Sequence, residues 1–365
     1  MKKISKALLI SSAVIAMTGC SASSGKTEQV MDAQKEFGCS TINVYNAGEY
    51  ISESAIPDFE KAFNATVKYD VFESNEIMYT KLMGGSAYDV LVPSDYMIER
   101  LMSEGMLQKL NQEQLTNLDQ ISDDVIGMRN VFDPAGEYAV PYFWGSVGLV
   151  YNKNNVDPAV IEEKGWDILL DSTYAGRVYA YDSQRDMFMV ALKALGYSMN
   201  TSDTDEINAA YEWLLSMNKA ITPAYVTDEV IDGMINGNMD IAIMYSGDAA
   251  YVLTENEDMA WVEPKQGTNI WVDAMVIPSN SACPALANEF INFMVDYDQQ
   301  YANSEEIGYS TPNKKAAEEL SAGTYEGISA YSPRTGYEKD EVFHFNPEMT
   351  KKLSDLWTRV KMSIN

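Results

Sequence analysis

The chain has 365 residues, of which 46% are hydrophobic and 22% charged, a composition that is typical of globular proteins and excludes wholesale disorder. At roughly 100 to 200 residues per domain, this length predicts two domains. The 54 acidic residues outnumber the 26 basic ones and give a formal net charge of -28. This charge argues against a nucleic-acid partner, because phosphate binding requires a basic surface. It suits either simple solubility or the attraction of a cationic ligand.

The N-terminal segment is organised like a secretory signal. Three lysines precede an apolar run at 7–17, which is shorter than the roughly 20 residues needed to cross a bilayer. The following Met17-Thr18-Gly19-Cys20 resembles a bacterial lipobox, although Met17 stands where leucine is usual. We predict that residues 1–19 are a signal peptide, that Cys20 is lipidated, and that residues 20–39 form a membrane tether.

Two further cysteines, Cys39 and Cys283, lie 244 positions apart. Outside the cytoplasm such a pair can form a disulfide, but their spacing alone does not establish contact. We slightly favour two free, buried thiols.

Strand and helix patterns alternate through the rest of the chain. The first set has strands at 41–45, 65–72 and 88–92 and helices at 54–63, 76–83 and 98–106. A long β-prone stretch at 138–151 could cross between domains. The second set has strands at 177–181, 240–245 and 271–277 and helices at 186–195, 205–217, 227–235, 284–295, 314–320 and 347–364. The alternation predicts an α/β protein whose chain passes back and forth between two lobes.

Catalytic motifs are missing from the sequence. It contains no phosphate-binding loop, no G-x-S-x-G nucleophile elbow and no H-E-x-x-H zinc motif, and its single histidine is His344. Carboxylate pairs of the glycosidase type stay open, because 54 acids make chance pairs inevitable. We therefore predict a protein that is not an enzyme and that needs no metal or cofactor.

Short loops that follow predicted strands place aromatic residues beside acids. These loops are 45–50, 93–96, 245–248 and 270–273. Loops at the carboxyl ends of strands meet at one edge of an α/β sheet, where ligands usually bind. Aromatic faces and carboxylates both attract cations. The pattern suits an organic cation with an alkyl stem, although ordinary core tyrosines and surface acids would give the same sequence.

Several short phrases resemble one protein family as an ordered set. They are Val44-Tyr45-Asn46, Glu73-Ser74-Asn75-Glu76, Val92-Pro93-Ser94, Glu104-Gly105-Met106, Trp144-Gly145, Trp271 with Asp273, and Ile307-Gly308-Tyr309 with Thr311-Pro312-Asn313. The set is similar to the spermidine/putrescine-binding proteins of bacterial ABC importers, from about residue 42 to the C-terminus. The resemblance implies the type II periplasmic-binding-protein fold, in which two α/β lobes close on a ligand cleft. It implies lobe 1 at 40–146 and 272–316 and lobe 2 at 147–271 and 317–365.

The same resemblance implies a function and its partners. The protein would be an extracytoplasmic, lipid-anchored monomer that captures putrescine or spermidine and delivers it to a membrane permease. Other readings stay open: the scaffold could bind another small solute, the protein could be a secreted glycosidase, or it could present its ligand to a receptor.

The family's binding site transfers to this chain only in part: Ala47 and Tyr245 stand where the family usually has tryptophan, and Ser183 stands where it has a carboxylate. The corresponding positions are Glu49, Tyr50, Ser94, Tyr96, Ser183, Asp186, Tyr245, Asp248, Trp271, Asp273 and Tyr309. The resemblance implies that Asp273, Asp186 and Asp248 hold one ammonium and Glu49 the other, while the aromatic rings line the stem. Ser183 replaces a carboxylate that spermidine binders use, so we predict putrescine affinity equal to or above spermidine affinity. The additional acid Asp95 is expected to face water.

Overall fold

A computed structural model describes residues 30–48 and 50–364 of the chain. The predicted signal peptide, Cys20 and Glu49 lie outside these residues. The strands are β1 Thr41–Ala47, β2 Thr66–Phe72, β3 Val90–Leu91, β4 Val140–Asn152, β5 Val178–Tyr181, β6 Ala224–Val226, β7 Ile241–Tyr245, β8 Met259–Val262 and β9 Ile270–Met275.

The helices cover the faces of the sheets formed by these strands. They are α1 Ala33–Phe37, α2 Ala55–Phe63, α3 Asn75–Met83, α4 Asp95–Ser103, α5 Asp123–Phe132, α6 Pro158–Lys164, α7 Gln184–Ala194, α8 Thr204–Ile221, α9 Glu229–Ile235, α10 Ser246–Glu255, α11 Pro284–Val295, α12 Tyr297–Ile307, α13 Lys314–Ala322 and α14 Pro347–Met362. Within the described ranges, no helix is both long and apolar enough to cross a membrane.

The first sheet has the parallel order β2-β1-β3. Strand β9 continues it, since Leu91 forms an antiparallel bridge with Val276 and Ser94 forms one with Asp273. Helix α2 packs its apolar face, with Ala55, Phe59 and Phe63 buried at intervals of four residues, as expected for an amphipathic helix. This sheet and its helices form the first lobe.

Strand β4 connects the two lobes. All 13 of its residues are buried. Its first half pairs antiparallel with β9, and its second half pairs antiparallel with β7 and β8. The second sheet therefore has the order β6-β5-β7-β4-β8. The predicted crossing stretch at 138–151 coincides with this strand.

Most predicted elements lie where the sequence places them, within a few residues. The predictions missed α1, α5, α6, α10, α12, β6 and β8. Helix α1 falls within the predicted tether, where Ala33 is buried and the Met31 amide donates to the Ala62 carbonyl at 2.8 Å. The exact lobe boundaries remain a prediction.

The structure contradicts the preference for free thiols. Cys39 and Cys283 form a disulfide, with their Cα atoms 6.3 Å apart. Cys39 precedes β1 and Cys283 caps α11, and the fold brings these two points of the first lobe together. Such closeness across 244 positions is a tertiary property that no local pattern in the sequence could reveal.

Candidate ligand-binding site

A cleft of about 850 Å³ lies where elements of both lobes meet. It receives the carboxyl ends of β1, β5 and β7 together with residues of β9. Most of the predicted site residues line it: Tyr50, Ser94, Tyr96, Asp186, Tyr245, Asp248, Trp271, Asp273 and Tyr309. The fold thus brings together side chains that are scattered over more than two hundred positions of the sequence.

Asp273 on β9 is the carboxylate of the first lobe. The Tyr50 hydroxyl donates to its Oδ2 at 2.8 Å. Its buried Oδ1 has no hydrogen-bond partner among the residues that the structure describes. Burial raises the pKa of Asp273 to about 6, although the nearby hydroxyl groups of Ser94 and Tyr50 oppose the rise. A buried acceptor without a partner is costly, and a donor entering the cleft would relieve that cost.

Asp248 lies in the first turn of α10, on the second lobe. The Tyr309 hydroxyl donates to Oδ1 at 2.7 Å, and the Tyr181 hydroxyl donates to Oδ2 at 3.1 Å. Burial raises the pKa of this carboxyl to about 6 as well. Asp273 and Asp248 are therefore both held by neutral hydroxyl groups, which fix their orientation without cancelling their charge.

Asp186, the third predicted acid, lies in the first turn of α7. Its Oδ2 accepts from the Ser183 hydroxyl at 2.6 Å and from the Tyr245 hydroxyl at 2.8 Å. Ser183 is the N-cap of α7 and also accepts from the Asp186 amide. Ser183 therefore contacts Asp186 instead of lining the cleft itself, so its effect on a ligand would be indirect.

The aromatic rings form a continuous lining between these acids. Tyr309 packs edge-to-face against Tyr50 and against Trp271, with ring centroids 5.5 Å apart in both pairs. Tyr245 meets the other side of Trp271 at 6.3 Å. Tyr309 rests on Gly247, where any Cβ would clash with the ring. Burial holds the pKa values of the three tyrosines well above their usual range, so they remain hydrogen-bond donors.

Tyr96 lies in the cleft but its ring is already covered. The Arg185 guanidinium of α7 stacks over the ring at 3.5 Å. The Tyr96 hydroxyl and the Arg185 Nη2 both donate to Glu76 Oε1, at 3.1 and 3.0 Å. Arg185 thus reaches from the second lobe to α3 and α4 of the first. Its cation occupies the aromatic face that the sequence analysis assigned to a ligand.

The expectation that Asp95 faces water is wrong. Asp95 is 1% exposed, and its carboxylate accepts from the backbone amides of Tyr96 at 2.6 Å and Val272 at 3.3 Å. Burial raises the pKa of Asp95 to about 8. The side chain connects α4 to β9 beside Asp273 and is part of the site's framework.

Sequence reasoning also missed several residues that line the cleft. They are Tyr181, Arg185, Asp228, Ile231, Asp232, Tyr251, Asn269, Glu306 and Phe343. Tyr181 carried a usable signal, because it ends a predicted strand in the same way as the tyrosine of the 245–248 loop. Phe343 carried none, since it lies on an irregular segment near the C-terminus. Over residues 30–48 and 50–364, no group of three or more His, Cys, Asp or Glu side chains could hold a metal ion.

Comparison with known proteins identifies the family. Residues 54–327 match the model of the bacterial extracellular solute-binding proteins. The chain belongs to this family. Its members bind and carry solutes and are not enzymes, which agrees with the prediction of a binding protein.

Curated relatives of this solute-binding protein have names that specify a ligand. The spermidine/putrescine-binding periplasmic protein of Salmonella typhimurium is 33% identical over 303 residues, which cover 82% of this chain and 86% of the relative. The corresponding Escherichia coli protein is 34% identical over 283 residues, covering 77% and 80%. The predicted resemblance is confirmed, and the periplasmic relatives indicate an extracytoplasmic location for this chain.

A solved structure also matches. The spermidine/putrescine ABC transporter substrate-binding protein PotD from Streptococcus pneumoniae has a TM-score of 0.78 and 34% sequence identity. The match covers 89% of this chain and all of the other. A putative spermidine/putrescine ABC transporter protein from Listeria monocytogenes gives the same TM-score and identity. The predicted type II periplasmic-binding-protein fold is confirmed.

Proposed function

We propose that this protein captures a polyamine outside the cytoplasm and delivers it to an ABC importer. The observation that carries the proposal is the buried Asp273 carboxylate, whose Oδ1 lacks a partner within the described part of the chain. Asp273 and Asp248 form no ion pair with any described Lys, Arg or His side chain. A dication would supply the positive charge that these buried acids need. The names of the relatives support the same ligand class.

In this proposal the acids bind the ends of the ligand and the rings pack on its stem. Asp273, Asp186 and Asp248 surround one ammonium group, and Glu49 binds the other. Trp271, Tyr50, Tyr245 and Tyr309 contact the methylene chain, which gains both apolar contact and cation–π attraction. Tyr96 contributes less than the resemblance implies, because Arg185 covers its ring. Nothing in this arrangement attacks the ligand.

The charge of the cleft disfavours the other candidate solutes. An anion would meet buried acids, and among the described residues that line the cleft the single cation is Arg185, which is bound to Glu76. A neutral sugar would leave the carboxylates without a counter-charge. A polyamine satisfies both the charge and the aromatic lining.

Calorimetric titration of the mature protein tests the proposal. Putrescine, cadaverine, spermidine and spermine are titrated in parallel with maltose and glutamate as neutral and anionic controls. We expect binding of polyamines only, with putrescine affinity equal to or above that of spermidine. Binding of a control solute without any polyamine binding would refute the proposed function, and a spermidine preference above tenfold would refute the predicted order.

We also propose that lipidated Cys20 anchors the protein to the membrane. The lipobox-like 17–20 segment supports this proposal. A Cys20→Ala variant expressed in its bacterial host should move from the membrane fraction to the soluble extracytoplasmic fraction. Unchanged membrane association would contradict the anchor while leaving polyamine binding unaffected.

A further inference from the structure

Residues at the start of strand β9 face two different cavities. Ile270 lines a second cavity of about 700 Å³ on the opposite side of the strand, which is called the back groove below. Asn269, Trp271 and Asp273 line the cleft. Since side chains two residues apart point to the same face of a strand, these three form a row along the cleft wall.

Each member of this row carries a buried polar atom without a hydrogen-bond partner. Over the described residues, Asn269 Oδ1, Trp271 Nε1 and Asp273 Oδ1 all lack one. The Asn269 side chain is buried, with 3% exposed. Three such atoms on alternate residues are unusual, because buried polar side chains are normally paired. The two acceptors among them, on Asn269 and Asp273, point to a ligand with hydrogen-bond donors that lies along β9.

The backbone of Asn269 is firmly held. Its carbonyl accepts from the Val147 amide at 3.2 Å, where β4 passes from one lobe to the other. The next residue, Ile270, donates to the Glu341 carbonyl at 2.8 Å. The carboxamide is therefore presented from a rigid crossing point and not from a mobile loop. Rotation of the amide group by half a turn exchanges its oxygen and nitrogen, so either can face a ligand.

The row offers acceptors at both ends and an aromatic ring between them. Asp273 follows Asn269 by four positions of extended chain, which corresponds to about 13 Å between their Cα atoms. A four-carbon diamine bound at Asp273 covers only part of this distance, whereas a triamine extends further along it. The indole N–H of Trp271 is a donor and adds no bond to an ammonium group, so this residue contributes its ring.

We propose that Asn269 is a ligand contact that accepts a hydrogen bond from the amine lying furthest from Asp273, and that it thereby distinguishes polyamines by length. This inference rests on the proposed polyamine function. The neutral amide gives the longer ligand a weaker contact than a carboxylate would, because hydrogen bonds between two charged groups are stronger. Asn269 therefore partly compensates for the carboxylate missing at Ser183.

Calorimetric titration of putrescine and spermidine into the parent protein, Asn269→Ala and Asn269→Asp tests this contact. Asn269→Ala should weaken spermidine binding about tenfold, the loss of one hydrogen bond to a charged group, and change putrescine binding less than threefold. Asn269→Asp should strengthen spermidine binding relative to putrescine about fivefold. The matched control is Ile270→Val, which changes the neighbouring side chain on the opposite face and should leave the ratio of the two affinities unchanged.

The outcomes separate this inference from the proposed function. A parent protein that binds neither polyamine overturns both. A parent that binds polyamines, together with Asn269 variants whose spermidine-to-putrescine ratio equals that of the parent, overturns only the role of Asn269. Melting curves of the ligand-free variants show whether each is folded, and Asn269→Asp decides the question through the same ratio if Asn269→Ala is unfolded.

Discussion

The cavities on the two sides of β9 are similar in size and both contain acids, but their acids are satisfied differently. In the cleft, Asp273 and Asp248 receive hydrogen bonds from tyrosine hydroxyls. In the back groove, the Asp340 carboxylate is bound by Arg334 at 2.7 Å and Glu341 is bound by Lys193 at 2.5 Å. The protein itself supplies the cations for these two carboxylates, while the exposed Asp124 in the same groove accepts from the Thr335 hydroxyl.

This difference identifies the cleft as the site for a cation. The net charge of -28 shows that acids are abundant. It does not indicate which of these acids lack a counter-charge in the folded protein. Buried carboxylates paired with Arg or Lys are structural, whereas buried carboxylates held by neutral donors keep their charge available to a ligand. Substitutions in the cleft and in the back groove should therefore have different effects.

The largest effect is expected from removing one acid on each side of β9. Asp273→Ala should weaken polyamine binding by about 3 kcal/mol, or roughly 100-fold, because a buried ammonium loses its carboxylate. Asp340→Ala should instead lower the free energy of unfolding by about 2 kcal/mol, since Arg334 loses its partner, with affinity unchanged. Calorimetry and chemical denaturation measure the two quantities. If Asp273→Ala binds polyamines as tightly as the parent does, the cleft is not the cation site.

Acid should weaken binding through the cleft and not through the back groove. The folded-state pKa of both Asp273 and Asp248 is raised to about 6, so both carboxyls become protonated as the pH falls below this value. Affinity should then drop roughly tenfold per carboxyl for each pH unit. Titrations between pH 7.5 and pH 5 measure this slope. In Asp273→Asn one titrating carboxyl is lost, so the logarithm of the affinity should change by one unit less per pH unit.

The same pKa shifts have the opposite effect on the stability of the ligand-free protein. A carboxyl whose pKa is raised by folding binds its proton more tightly in the folded state. Its contribution to stability is complete below the unfolded-state pKa and is lost as the pH rises through about 6. The difference in unfolding free energy between the parent and Asp273→Asn should therefore widen from pH 4 to pH 7. A constant difference would contradict the raised pKa.

Removing a tyrosine hydroxyl from the cleft should cause a smaller loss of polyamine affinity. Tyr309→Phe deletes one of the two hydroxyl donors to Asp248, which disfavours the ionised carboxylate and should weaken polyamine binding about fivefold. Tyr337→Phe is the matched control in the back groove, where that hydroxyl donates to the Lys265 carbonyl at 2.7 Å. Equal losses of affinity in the two variants would contradict a specific role of the Tyr309 hydroxyl in ligand binding.

A loss of similar size is expected at the contact between the lobes. Arg185→Ala removes the ion pair with Glu76 and the stacking on Tyr96, which together favour the closed cleft by about 1 kcal/mol. All polyamines should lose affinity to the same extent, about fivefold. Lys361→Ala removes an ion pair with Asp182 elsewhere in the molecule and should have no such effect. A change in ligand preference in Arg185→Ala would assign that residue to specificity instead.

The α/β architecture, the family and nine of the side chains that line the cleft follow from the amino-acid sequence alone. Strand and helix periodicities are local, and the 245–248 loop follows a predicted strand whose end meets its neighbours' ends at one edge of the sheet. Trp271 and Asp273 were found through the family resemblance, because the predicted loop at 270–273 is in fact part of strand β9. The crossing strand was also visible, because a continuous apolar run is needed where a strand is buried on both faces.

Which side chains form hydrogen bonds, ion pairs or a disulfide with one another depends on the tertiary structure. The Tyr50 hydroxyl meets Asp273 across 223 positions, Arg185 reaches Glu76 from the other lobe, and Cys39 meets Cys283. The tertiary structure also buries Asp95, and it leaves Asn269 Oδ1 without a hydrogen-bond partner among the described residues. Contacts of this kind depend on how the lobes pack, since the free energy of a polar group is set by its burial and its partners and not by its neighbours in the chain.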